Sequence, residues 1–309
     1  MISVQVQPEF SEKLNHASTV RRSYPWDRKV IDWSVPIDNQ HLYMPHRYSF
    51  LWSTPLWDRL TLEEKSFVTR WEFTQLMRNA GAGEHLLNQA ILSVLHHTNQ
   101  YDPAWRYLLH EVAEECQHMA MFNEWVRLNP DIRTKGLRDD KWGLLASVLT
   151  PVFATQFPVF FWMLTMLLEV SGDMMGHDQS KNELSLLHPI VVQLGKAHAV
   201  EEVRHIAFAR RWVEAAMPKL SKIDRLLLSE VAERVLAQVI RIGLPPIFYS
   251  SQIAPFVSYE EFRAAVRSEN RREMTRIQVA PTVKQLHELG ILRSRTLRKW
   301  EREGLVLPV

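Results

Sequence analysis

Two short strings carry chemistry in this 309-residue chain: "EECQH" at 114–118 and "EEVRH" at 201–205. Each contains Glu-x-x-His, Glu115 with His118 and Glu202 with His205. On an α-helix, residues three and four apart lie on one face. Each pair therefore aims a carboxylate and an imidazole in the same direction. Helical bundles hold two metal ions with one such pair from each of two helices and one glutamate from each of two others. In the second string the stripe runs back one turn, so His198, Glu202 and His205 share a face.

The two remaining glutamates are sought on other helices. Glu169 ends the apolar run "FFWMLTMLLE", where an ionised carboxylate is expensive unless paired or bound to a cation. Glu84 follows "GAG" at the start of the next periodic stretch. From Glu84 to Glu115 is 31 residues and from Glu169 to Glu202 is 33, so the chain reads as two similar halves. Glu72 is the alternative to Glu84. Glu114 competes with Glu115, because His110, Glu114 and His118 also align at i, i+4, i+8; Glu115 is preferred because it copies the spacing of Glu202 and His205. Glu201, Glu111 and Glu124 read as solvated or as supports behind the ligands. His96, His97, His177 and His188 have no partner at ligand spacing.

Carboxylate-rich sites with a few imidazoles suit iron or manganese, whereas zinc more often takes a smaller tetrahedral set. Four glutamates balance the charge of two divalent ions, as a buried site requires.

The elements that must position these groups are helical. Residues 1–60 lack a sustained period and are rich in Trp, Pro and Tyr, which predicts an irregular arm docked by its aromatics. Thr61 and Glu64 form a capping-box pattern at the head of the first bundle helix. "GAG" at 81–83 predicts a break before "EHLLNQAILSVLHHT". Pro103 starts a helix that runs to Leu128. A kinked apolar helix follows from 151, then helices ending near "PP" at 245 and two shorter ones at about 258–275 and 281–303. Strand alternation is not evident. The expected architecture is one all-α domain: arm 1–60, metal-binding helical bundle 61–250, and C-terminal helices 251–309.

Composition sets bounds. Lysine and arginine number 37 against 35 acidic residues, so no overall charge points to nucleic acid or an anionic membrane. The single cysteine, Cys116, rules out an intrachain disulfide framework and paired-cysteine zinc sites. The N-terminus has no basic-then-apolar order, and the most apolar run, 158–170, is too short to span a bilayer. A cytoplasmic protein is expected.

The chain resembles the AurF-like di-iron N-oxygenases, through "YPWD", "LWSTPLWDRLTLEE", "EECQHMAMF" and "HAVEEVRHIAFAR". That resemblance implies a ferritin-like bundle and seven ligands to two irons: Glu84, Glu115, His118, Glu169, His198, Glu202 and His205. Its distinctive member is His198, a third metal-binding histidine four residues before the second ligand glutamate. It further implies that O2 is used to oxidise a small-molecule amine, first to a hydroxylamine, in a natural-product or signalling-molecule pathway, and that the protein is a homodimer. No G-x-G-x-x-G after a strand and no cysteine set for an iron–sulfur cluster is found, so electrons are expected from a separate reductase, a ferredoxin or a small reductant.

Other readings have weaker support. A ferroxidase shares the bundle logic without an organic pocket, and a desaturase or carbon-hydroxylating oxidase shares the metals. Phe157, Phe160, Phe161, Trp162 and Met166 could line a substrate pocket, with core packing as the favoured alternative. The tail "TVKQLHELGILRSRTLRKWEREGLV" faintly resembles a helix-turn-helix, but Glu301 and Glu303 dilute its basic face, and terminal helices packed on the bundle are expected.

Overall fold

The computed structural model describes residues 4–20, 24–133, 141–181, 186–243 and 247–308. The chain is all-α, with 73% of the described residues in helices. Among the described residues the β-structure is one isolated bridge, Leu42 with Leu187. Four long helices carry the site: α3 (Leu62–His96), α4 (Pro103–Leu128), α6 (Pro158–Lys181) and α7 (Pro189–Ala216). They form two tightly packed pairs, α3 with α4 and α6 with α7, and α4 meets α7 across the centre. This is the arrangement of a ferritin-like bundle.

Local sequence explains the helix ends. The Thr61 side chain accepts from the Glu64 N–H while Glu64 reaches back to the Thr61 N–H, a complete capping box for α3. The Asp102 carboxylate caps α4 ahead of Pro103, and His188 caps α7 ahead of Pro189.

The expected break at "GAG" is absent: α3 runs unbroken through it for 35 residues. A Cβ on Gly81 would lie 3.7 Å from the Phe122 side chain, an ordinary van der Waals contact, so Gly81 sits on the face of α3 that packs on α4 and not in a turn.

The arm is not wholly irregular. It contains α1 (Pro8–Val20), which packs on α4 and α7. Its docked face is Ser11, Leu14, Asn15 and Ser18. Three of the four are polar, so no apolar period announced the helix. Residues 24–60 follow the expectation of aromatic docking, with Tyr43, Tyr48, Phe50 and Leu51 fully buried. α2 (Pro55–Arg59) is a short turn before α3.

The apolar segment is two helices, α5 (Lys141–Gln156) and α6, divided at Phe157. Helix α6 is long and apolar enough to cross a membrane, but 67% of its most apolar window is buried inside the protein. Phe161, Trp162 and Met166 belong to the core, Phe160 packs against it, and Phe157 is exposed.

Beyond α8 (Lys222–Ile242), the tail holds α9 (Tyr259–Ala265), α10 (Glu269–Glu288) and α11 (Ser294–Arg302). The breaks fall elsewhere than expected, because Ser268 caps α10 and Gly290, at φ +71, ends it, while Pro281 is accommodated inside. Leu297 and Trp300 are buried, and Arg293 pairs with Glu233 and Glu230 of α8. The tail therefore packs on the bundle.

Candidate metal centre

The centre lies where α3, α4, α6 and α7 face one another. Nδ1 of His118 is 2.9 Å from Glu115 Oε2 and 3.2 Å from Glu202 Oε1. Nδ1 of His205 is 2.8 Å from Glu115 Oε1 and 3.3 Å from Glu202 Oε2. Glu115 and Glu202 thus each offer one oxygen toward each of two histidines, the disposition of carboxylates that bridge two cations. His198 Nε2 lies 3.2 Å from Glu202 Oε1 and 4.0 Å from Glu84 Oε1. Ligand atoms of Glu84, Glu115 and Glu169 fall within 4.8 Å of one another. The structure brings all seven sequence-proposed residues to one place.

Glu72 is elsewhere. Its Oε1 accepts the Phe50 N–H at 2.8 Å, tying the arm to α3.

Behind the histidines the two helices brace each other. The outer Nε2 of His118 is 3.0 Å from Glu201 Oε2 on α7. The outer Nε2 of His205 is 3.0 Å from Glu114 Oε2 on α4. An ionised carboxylate only accepts, so each Nε2–H donates, and Nδ1 is the ring nitrogen left to face the centre, where it would be the ligand atom once a cation replaced its proton. Glu114 also accepts from Arg204 at 2.9 Å, and Arg204 donates to Ser18 Oγ of α1 at 3.1 Å.

The family model for the p-aminobenzoate N-oxygenase AurF matches residues 5–290. The chain belongs to the AurF family. Uncharacterized protein Rv0885 of Mycobacterium tuberculosis and uncharacterized protein Mb0909 of Mycobacterium bovis are each 28% identical to it over 229 residues, 72% of this chain. The match spans 64% of the length of these curated relatives.

The electrostatics of this AurF-family centre fit a pair of bound cations. Burial, with the charges of Glu115 and Glu202, pushes Glu84 well above the usual carboxylate range. Burial and the charges of Glu202, Glu84 and Glu115 do the same to Glu169. Burial opposes ionisation of Glu202 too, but His198 and His205 overcome it and hold the group at about 2. Glu115 is held well below the ordinary range by His205 and His118, again against burial. Side chains alone therefore leave Glu84 and Glu169 without the positive charge that four ionised carboxylates need. The donor atoms are also poorly paired with each other. Glu115 Oε1, both oxygens of Glu202, His198 Nε2 and His205 Nδ1 are buried and make no hydrogen bond, although some approach one another at ion-pair distance. Polar atoms that converge without aligned hydrogen bonds are expected of metal ligands, since buried polar groups otherwise find partners.

Sequence reasoning left Glu201 and Glu111 undivided and weighed Glu114 as a ligand. Glu114 and Glu201 each brace the histidine of the opposite helix. The doubled glutamate in both E-E-x-x-H strings was the available clue, because adjacent helical residues point about 100° apart. Glu111 is fully buried one turn before Glu115, with the Tyr107 hydroxyl as its polar neighbour, and burial pushes it up to about 8. Glu124 lies at the surface end of α4 and pairs with Arg127.

Proposed function

We propose that the protein is an O2-dependent di-iron N-oxygenase that converts the amine of a small molecule to a hydroxylamine. The observation that carries this reading is His198. A third imidazole joins the two Glu-x-x-His pairs, in a chain of the AurF family, on the same face as Glu202 and His205.

Glu84, Glu115, His118, Glu169, His198, Glu202 and His205 would hold the two irons. Bound iron supplies reduction of O2 and transfer of one oxygen atom. For a primary amine the balance is RNH2 + O2 + 2 e− + 2 H+ → RNHOH + H2O, with the electrons from an external ferredoxin, flavin reductase or small reductant. Further oxidation to a nitro product balances as RNHOH + O2 → RNO2 + H2O, the hydroxylamine itself supplying the electrons.

The protein's part is orientation and exclusion of water. His118, His205, Glu115 and Glu202 have side chains with no exposure, whereas those of His198 and Glu84 are 14% and 11% exposed. The amine approaches from that side, where the Phe122 ring lies 5.5 Å from His198 and Gly172 leaves room beside the imidazole. A cytoplasmic homodimer in a natural-product or signalling-molecule pathway completes the proposal.

The test is direct. The iron-loaded protein is reduced without oxygen, then mixed with oxygen-18 gas and panels of aryl and alkyl amines. Labelled hydroxylamine identified by mass spectrometry is the expected result. Oxygen consumption with oxidised iron and no oxidised amine would instead indicate a ferroxidase.

A further inference from the structure

The stripe of α7 that carries His198, Glu202 and His205 continues past the metal centre. At the same three- and four-residue spacing come Phe208 and Trp212. Trp162 of α6 packs against both, its ring centroid 5.5 Å from Phe208 and 6.1 Å from Trp212. Tyr107 of α4 lies 4.7 Å from Phe208, and the charge of Glu111, then that of His205, acts on its hydroxyl. Tyr107, Trp162 and Phe208 are wholly buried. Trp212, 8% exposed, lines a cavity of about 450 Å³ together with Val4, His97, Asp102 and Pro158. None of the seven ligands lines that cavity.

Packing alone explains a cluster of rings, but not these rings. The Trp162 Nε1–H is buried and makes no hydrogen bond, and the buried Tyr107 hydroxyl has the Glu111 carboxylate as its polar neighbour. An unpaired N–H in the interior is costly, and phenylalanine at 162 would avoid it. Indole and phenol differ from phenylalanine in a second respect: each can give up one electron far more readily.

We propose that Trp162 and Trp212 carry single electrons between the surface cavity and the metal centre, with Phe208 and Tyr107 closing the gap to His205. The inference rests on the reading of the centre as redox-active iron. An electron leaves the Trp162 indole toward the centre and leaves a radical cation. Trp212 refills it and is refilled in turn by a one-electron reductant at the cavity, such as a reduced iron–sulfur or flavin carrier, or ascorbate in solution. The reductant loses one electron, the centre gains it, and both indoles return unchanged. With no reductant, the oxidised indole is trapped by water or O2 as an oxygenated tryptophan.

Iron-loaded protein is treated with hydrogen peroxide, each molecule taking up two electrons and two protons on its way to water, and oxidised tryptophans are mapped by peptide mass spectrometry. Iron-free protein treated alike gives the background. Trp26 is the internal control, because at 49% exposure it is far more accessible to diffusing oxidants than Trp212. The expected result is iron-dependent oxidation of Trp162 and Trp212 exceeding that of Trp26 and suppressed by ascorbate. Trp162→Phe should abolish the iron-dependent oxidation of Trp212 and leave Trp26 unchanged, and Trp212→Phe should make damage accumulate at Trp162. Oxidation that ranks by exposure, that needs no iron, or that persists at Trp212 in Trp162→Phe overturns the relay. Peroxide bypasses amine oxidation, so the tryptophan pattern with no hydroxylamine product upholds the relay and strikes only the proposed substrate chemistry.

Discussion

Glu201 of α7 stands 3.0 Å from the outer nitrogen of His118 on α4, and Glu114 of α4 stands 3.0 Å from the outer nitrogen of His205 on α7. The two E-E-x-x-H strings therefore serve each other. In each, the second glutamate and the histidine face the centre while the first glutamate fixes the histidine of the other helix. Partners of this kind orient the ring and raise its basicity, and their loss typically lowers metal affinity about 10–100-fold. Glu201→Ala is expected to weaken iron binding in that range with helix content unchanged. Competition against a chelator measures it, and unchanged affinity would show that Glu201 does not set the His118 ring.

Arg204 extends this support to the arm. It joins Ser18 of α1 to Glu114, and so to His205. Breaking a buried charged pair by removing one member costs about 3–5 kcal/mol. Arg204→Met should fall in that range in denaturant unfolding of the metal-free protein. Adding Glu114→Gln should recover most of the stability, since no charge is then stranded, but it should not recover iron affinity. Full recovery of both would make the pair a packing feature alone.

Glu72 gives a pH prediction remote from the ligands. Burial, only partly offset by the Phe50 N–H, Ser49 and the Arg271 charge, raises its folded value from 4.5 to about 7. The folded state then holds the proton that the unfolded chain releases. Stability is full below pH 4.5, falls by about 3 kcal/mol as pH rises toward 7, and is flat above. Glu72→Gln keeps an oxygen for Phe50 and cannot ionise. The metal-free variant should lose that fall and become more stable than the parent at pH 8, with iron stoichiometry unchanged, whereas Glu84→Gln should lose iron. A variant less stable at pH 8 would mean that Glu72 is ionised against Arg271.

Much of the centre was legible because metal ligation on helices obeys the 3.6-residue period, and Glu115, His118, Glu202 and His205 are spaced by it. Glu169 was legible from cost, as a carboxylate closing an apolar run. The choice between Glu84 and Glu72 lay beyond local pattern, since both sit on α3 and only the approach of α4 and α7 separates them. Helix α1 was hidden because Ser11, Asn15 and Ser18 form most of its docked face. The continuity of α3 was missed because glycine was read as a breaker, whereas its helix penalty of about 1 kcal/mol per residue is small beside the packing of a 35-residue helix on α4.

Glycines also decide how closely α6 approaches α7. A Cβ on Gly195, one turn before His198, would lie 2.7 Å from the Gly176 carbonyl oxygen and 2.7 Å from Gln179 Cβ. A backbone oxygen cannot swing aside as a side chain can, so the helices must separate. Overpacking of this kind costs about 1–3 kcal/mol, and it shifts His198 and Glu202 relative to Glu169. Gly195→Ala should therefore both destabilise the protein and lower its iron retention. Gly83 is the control, adjacent to Glu84 yet with nothing within 4 Å of an added Cβ. Gly83→Ala should keep the iron and gain stability, since alanine in a helix interior is favoured over glycine by about 0.5–1 kcal/mol. Denaturant midpoints and iron counts on the two variants measure both effects. If Gly195→Ala retains its iron and its stability, the close contact of α6 and α7 does not hold the ligands in register.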